Sequence, residues 1–348
     1  MSVFFSSLNI NSFRGIKGLQ ISGLRDVNII AGNNNVGKTS VLEAIALLRN
    51  PYSFYNVIRT TRMREGVFAR NTLYENINSM FPRGEMIISV EAKEDNYNVR
   101  MELQGAEEML LLEGPSNDYM EIIGISGELI GEDSAGMQKS PFRVSYASKQ
   151  RDYPVTPSRR DIEYVPPGSH LQGNVFDRIV KNDSYKAICI RLLQLFDEDI
   201  VDLLYLNNAG RAVEYIKHKK IGVMPLNTYG DGIKKVLSLA NHIASAAGGI
   251  LMIDEVETSI NYKYYHDVFN FLIKACREFN VQLFITTHNI EAIDGILGTQ
   301  SYNEKTENDP INVVTFRKDN ETGEIRSRSL SGREVYVNRE NFNFEVRL

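Results

Sequence analysis

The sequence predicts an α/β fold in which a parallel sheet is joined by an antiparallel β layer and an inserted helical lobe. Three observations lead there. Two short runs of buried-type aliphatics, "DVNIIAG" (26–32) and "GGILMIDEVE" (248–257), stop abruptly on glycine or on acids, as buried parallel strands do at their carboxyl edges. Between them, residues 85–130 alternate apolar and polar side chains in segments separated by Gly, Asn and Asp, which predicts antiparallel strands. From 176 to 206, "FDRIVKNDSYKAICIRLLQLFDEDIVDLLYL", the apolar spacing becomes helical.

In chain order, "FFSSLNINSF" and "GLQISGLRDVNII" predict two strands joined through "RGIKG". The second ends at "AGNNNVGKTSVLEAI" (31–45). Here Gly32, Asn33, Asn34, Asn35, Val36, Gly37, Lys38, Thr39 and Ser40 have the spacing of a phosphate-cradling loop. The following "TSVLEAIALL" carries apolar side chains at helical spacing, so strand, glycine loop and helix come in the required order. In such a loop backbone N–H groups and the helix dipole surround the β-phosphate. Lys38 reaches the β and γ oxygens, and Thr39 holds Mg²⁺. Residues 50–83, rich in Arg, Asn and aromatics, carry no clear periodicity. The strands that follow are expected in "EMIISVEAKE", "YNVRMELQG", "EMLLLEG" and "YMEIIGISGELIG", and "YVPPGSH" (164–170) marks a hinge.

The organisation expected is therefore an N-terminal lobe over 1–159, a helical lobe over 160–222 and a C-terminal lobe over 223–348. In the last, Ile250 to Ile253 deliver Asp254 and Glu255 to a sheet edge, where Asp254 supports Mg²⁺ and Glu255 polarises the attacking water. "VQLFITTHN" (281–289) ends in Thr286, Thr287, His288 and Asn289 at the same edge. There His288 is placed to donate to the γ-phosphate or to orient the water. Gly230, Asp231 and Gly232 open a further helix and offer free N–H donors, a second anion-binding element. One phosphate cradle already exists at Gly32, so the second is read as serving another subunit's nucleotide.

Bulk composition limits the alternatives. With 348 residues and 43% hydrophobic content the chain can bury a large core, and its net charge of -5 argues against binding nucleic acid by overall charge. Cys189 and Cys276 share no metal-ligand spacing, and no apolar run reaches membrane-spanning length, so a cytoplasmic protein is expected. The basic stretches Arg59, Arg62, Arg64 and Arg70, Arg159 and Arg160, and Lys217, Lys219 and Lys220 read as solvated faces.

Together "NSFRGIKGLQI", "GNNNVGKTSVLEAI", "GDGIKKVLSLA", "GGILMIDEVE" and "LFITTHNIEAID" resemble the OLD-like group of ABC-type ATPases, bacterial proteins related to RecF and SMC heads. The resemblance covers nearly the whole sequence and implies an ABC-type P-loop ATPase head binding ATP and Mg²⁺. It implies two heads meeting head to tail, with Gly230 and Gly232 acting in trans, Glu255 as general base and His288 sensing the γ-phosphate. "ETSIN" (257–261) departs from the family's usual glycine, leucine, histidine stretch. The coupling glutamine has no clear equivalent beyond the candidates Gln104 and Gln150. Residues after His288 read as a β-hairpin around "DNETGE" without the clustered acids of a nuclease centre. A separately encoded effector, a nuclease or toxin of an anti-phage system, is thus the expected partner beside a second copy of the chain. A RecF-like DNA-repair ATPase is the alternative.

Overall fold

The computed structural model describes residues 3–64, 71–113, 119–171, 175–208, 210–302, 309–319, 323–342 and 345–346. The chain begins with β1 (Ser7–Phe13) and β2 (Ile16–Ser22), an antiparallel pair, and then β3 (Val27–Ala31). The single strand expected over 18–30 is thus two strands in different sheets. Gly23, at φ 69°, turns the chain out of the first sheet, a conformation that costs a glycine nothing. Helix α1 (Lys38–Leu47) follows, then α2 (Phe54–Thr61) and α3 (Leu73–Asn78) in the stretch without clear periodicity. Each of the latter two has a side-chain cap, Ser53 and Thr72, the second a full capping box with Glu75.

Strands β4 (Ile87–Glu94), β5 (Tyr97–Glu113), β6 (Tyr119–Asp133) and β7 (Gly136–Ser145) complete a six-stranded antiparallel sheet in the order β2-β1-β4-β5-β6-β7. Two of the expected short strands merge into β5, because Gly105 pairs with Gly127 of β6 instead of turning the chain. A Cβ on Gly127 would lie 1.8 Å from the carbonyl oxygen of Gln104, so glycine is needed there for close backbone approach.

Next come β8 (Ile162–Val165), α4 (Asp183–Leu193) and a three-stranded antiparallel sheet of β9 (Ile200–Asn208), β10 (Arg211–His218) and β11 (Gly222–Pro225). This corrects the helical reading of the segment, which holds for 183–193 and fails from Ile200 onward. The run "IVDLLYLNN" has apolar residues at spacings that suit either structure, and pairing with β10 decides for strand. Nor does the segment stand wholly apart, since β8 is a strand of the central sheet.

The remaining elements are α5 (Asp231–Ser245), β12 (Ile250–Ile253), α6 (Tyr265–Glu278), β13 (Gln282–Thr287), α7 (Ile290–Leu297), β14 (Ile311–Lys318), β15 (Ile325–Ser331) and α8 (Gly332–Phe342). The central sheet has the order β15-β14-β3-β13-β12-β8, parallel throughout except for β15 at one edge. β14 and β15 are the expected hairpin, although 320–322 of its turn lie outside the described residues, as does Arg70.

Two hydrophobic cores lie on opposite faces of this sheet, and alternate residues of each strand divide between them. Val27, Ile29, Leu251, Ile253, Leu283 and Ile285 pack with the helices α4 to α7. Ile30, Ile250, Met252 and Phe284 pack with α1 and the antiparallel sheet. Strands covered on both sides read as continuous apolar runs, which is why they stood out in the sequence.

Candidate functional site

β3 and α1 are joined by a loop whose shape depends on left-handed residues: Gly32 has φ 154°, Asn35 63° and Gly37 96°. Gly37 is the N-cap of α1 and supplies no side-chain cap, so the first-turn N–H groups keep their capacity for an anion. Val36 is buried and anchors the loop, whereas Asn33, Asn34 and Asn35 are exposed. The ammonium of Lys38 donates to the carbonyls of Gly32 and Asn33, both at 2.8 Å, and holds the loop closed around itself. Burial pushes its pKa down, while the charges of Asp254, Glu255 and Glu257 oppose that shift.

Asp254 follows the last residue of β12 and is 6% exposed. Its Oδ2 accepts from the hydroxyls of Thr39 at 3.0 Å and Tyr164 at 3.1 Å, and its Oδ1 accepts from Thr286. Burial, with the charge of Asp254, raises the Tyr164 pKa, so the phenol stays a donor. Glu255 adopts the left-handed φ of 48°, uncommon for a non-glycine residue, and its N–H donates to Thr286 Oγ1 at 2.9 Å. Thr39, Asp254 and Glu255 line one cavity of about 490 Å³ with Asn34, Asn35, Gly37, Lys38, Ser40, Arg64 and Lys318. Hydroxyl and carboxylate oxygens already in hydrogen-bond contact form the hard donor set that suits Mg²⁺. Thr39 and Asp254 would hold the ion, and it would neutralise phosphate charge there.

The sequence missed several residues here. Arg64, read as a solvated charge, lines the cavity and donates to Ser40 Oγ at 2.8 Å. It also joins Arg14 in gripping Glu43 of α1, each guanidinium making two bonds of 2.8 Å. Glu43 reads as one more helix residue in the sequence, and only its burial at 0% exposure marks it. Arg159 and Arg160 likewise bind Glu94, Arg159 also Asp133, rather than facing solvent. Tyr164 had a signal available, since it sits one residue before the end of a strand pairing with β12.

Other expected residues lie elsewhere. His288 follows β13 and stands 3.4 Å from Glu257 by its Nδ1, outside the cavity lining. Gly230 caps α5 without a side-chain bond, Asp231 pairs with Lys234 at 3.0 Å, and neither these nor Gly232 line the cavity. Gln104 and Gln150 bond Glu102 and Tyr55 and are also outside it. Among the described residues one group elsewhere has metal-like spacing, Asp197, Asp199 and His218. His218 Nδ1 accepts two backbone N–H groups, which puts the ring proton on Nε2, the nitrogen facing Asp197 at 3.2 Å, and occupies the lone pair a metal would need.

Residues 4–186, more than half of the chain, match the AAA ATPase domain family. The chain belongs to that family. Residues 126–294 of this AAA ATPase also match a family described as AAA domain, putative AbiEii toxin, Type IV TA system. It is 23% identical over 359 residues to an ATP/GTP phosphatase of Helicobacter pylori, covering 86% of this chain and 90% of that protein. It is 39% identical over 83 residues to the DNA replication and repair protein RecF of a Shewanella species, covering 24% of this chain and 22% of that one.

Among solved structures it resembles an Smc head bound to the C-winged helix domain of ScpA, with a TM-score of 0.53 and 12% identity over 96% of this chain and 100% of that one. A Pyrococcus furiosus Smc head with an extended coiled coil, bound to the C-terminal domain of ScpA, gives 0.50 and 12% over 98% and 100%. The fold of this AAA ATPase is therefore that of an ABC-type head. No helix among the described residues is long and apolar enough to cross a membrane.

Proposed function

We propose that this AAA ATPase binds ATP with Mg²⁺, hydrolyses it slowly between two copies meeting head to tail, and uses the nucleotide state to hold or release a separately encoded effector in anti-phage defence. The observation that carries the hydrolytic part is the contact of Thr39 with Asp254, residues 215 positions apart, at the floor of the cavity that also holds Lys38 and Glu255. Lys38 receives the β and γ oxygens and Glu255 takes the proton of the attacking water.

Assembly is supported by what the cavity lacks. Its lining includes Lys38 but not the uncapped start of α5 at Gly230. In a head-to-tail pair those N–H groups meet the partner's γ-phosphate, and neither head is complete alone. Gly232→Arg tests this, because a Cβ at Gly232 meets the Ser259 carbonyl at 3.3 Å, a tight but adjustable contact, and the side chain would then intrude on the shared nucleotide. By sedimentation the parent should associate on adding ATP and the variant should stay monomeric. Equal association with and without ATP, in both proteins, would remove the trans role.

The match to the AbiEii-type AAA domain supports the defence setting. Local identity with RecF favours the second reading, a repair ATPase acting on DNA. A pull-down from the native host separates them. Recovery of a nuclease or toxin whose retention differs between the parent and Glu255→Gln is the expected result. Tight ATP-dependent binding of the isolated protein to gapped DNA, with no such partner, would establish the repair reading instead.

A further inference from the structure

A second cavity, of about 280 Å³, opens beside the first turn of α5, between the turn Ser169–Leu171 and the strands β10 and β11. It shares no lining residue with the cavity at Lys38. Its walls are apolar at Leu171, Val213 and Pro225 and polar at His170, Glu214 and Lys234.

His170 is only 4% exposed, yet among the described residues neither of its ring nitrogens has a hydrogen-bond partner. The nearby Pro167 carbonyl accepts from the Lys235 ammonium at 3.0 Å instead. Burial, and after it the charge of Lys235, hold the His170 pKa below its usual value, so at neutral pH the ring offers one N–H and one lone pair. Buried polar atoms are nearly always paired, and two left unpaired cost stability that a ligand can restore. The ring is also held in place. Ser169 Oγ meets Ser238 Oγ at 3.1 Å, and the Lys235 bond ties the preceding residues to the same helix.

Glu214 is fixed as firmly. Its Oε1 accepts from the N–H groups of Val175 at 2.7 Å and Phe176 at 3.0 Å and from the Tyr205 hydroxyl at 2.9 Å, so Oε2 is the oxygen left for a ligand. Lys234 is balanced by Asp231 at 3.0 Å. An anion here would meet Glu214 and a cation would meet Lys234 and the buried Lys235, so the lining favours a neutral ligand. Pockets for drug-sized ligands run roughly 300–1,000 Å³, and this one suits a single ring system.

We propose that this cavity binds a nucleobase, its faces against Leu171, Val213 and Pro225 and its donor–acceptor edge on the His170 ring and Glu214 Oε2. A free nucleoside and a single nucleic-acid strand present the same edge, and the test has an arm for each. Nucleosides carry no phosphate for the loop at Gly32 to hold, so the result does not depend on the ATPase reading.

Equilibrium dialysis of the full chain against labelled adenosine, guanosine, cytidine and uridine is the first arm, and titration with short fluorescent single strands of each base is the second. At least one nucleoside should bind saturably. His170→Leu should weaken that binding roughly 10- to 100-fold, and Val213→Phe, which fills the space and leaves the polar groups in place, should abolish it. Because leucine removes two unpaired atoms at similar volume, the urea midpoint of His170→Leu should equal or exceed the parent's. Binding of strands alone, with the same sensitivity to both variants, would support the site and assign its base to nucleic acid. Three results would overturn the proposal: no binding in either arm, binding unchanged in either variant, or earlier unfolding of His170→Leu, which would mark a structural histidine.

Discussion

Lys38→Ala should abolish nucleotide binding, whereas Glu255→Gln should bind ATP as the parent does and not turn it over. The two side chains line the same cavity, but their proposed roles fall at different moments. In the proposed role Lys38 contacts the phosphates in ground and transition states alike, and losing two charge-assisted hydrogen bonds worth about 1.5–3 kcal/mol each weakens binding by roughly 10²- to 10⁴-fold. The lysine also closes the loop by its bonds to the Gly32 and Asn33 carbonyls, so its removal loosens the cradle before any ligand arrives. In the proposed role Glu255 is needed only when water attacks, and removing a general base lowers turnover roughly 10²- to 10⁴-fold without touching ground-state affinity. Equilibrium binding of a fluorescent ATP analogue and phosphate release measure the two effects. Turnover in Glu255→Gln equal to the parent's would take the role away from Glu255.

Glu43→Ala should be the costliest single change to stability among residues near the site. Its carboxylate, wholly buried on α1, satisfies Arg14, whose side chain is 13% exposed, and Arg64, which is 45% exposed. Removing one partner of a buried ion pair leaves the other charge without compensation and costs about 3–5 kcal/mol; the low end applies here because Arg64 can turn to water. The midpoint of urea unfolding measures the loss. Arg64 would also lose its hold beside Ser40 and with it a place on the cavity wall. A second effect follows: even under conditions where the variant is folded, its ATP affinity should fall. A variant as stable as the parent would show that Arg14 and Arg64 find other partners.

The parts of this molecule legible in the sequence share a physical cause. Buried parallel strands must be apolar on both faces, and a loop with positive φ favours glycine, or asparagine as at Asn35, so β3, β12, β13 and Gly32 to Thr39 announce themselves locally. The antiparallel layer was visible for the same kind of reason, through its period of two, although its register was not. The helical reading past Ile200 failed because apolar spacing over a few residues does not distinguish a strand from a helix when a partner strand supplies the deciding hydrogen bonds.

By itself the sequence determined the strand–loop–helix around Gly32 to Thr39, the acids at the end of β12 and the polar end of β13, since backbone geometry and burial leave few residue types for those positions. Only the tertiary structure decided which distant groups meet. Thr39 contacts Asp254 because β3 and β12 flank β13 in one parallel sheet and end at the same edge. Tyr164 reaches Asp254 and Glu257 accepts from the His288 N–H for the same reason, whereas Arg64 reaches Glu43 and Ser40 because the turn after α2 lies against α1. A charged or hydroxyl side chain looks alike in the sequence whether it faces water or a buried partner. The difference lies in the desolvation and pairing that arise only when remote segments pack together.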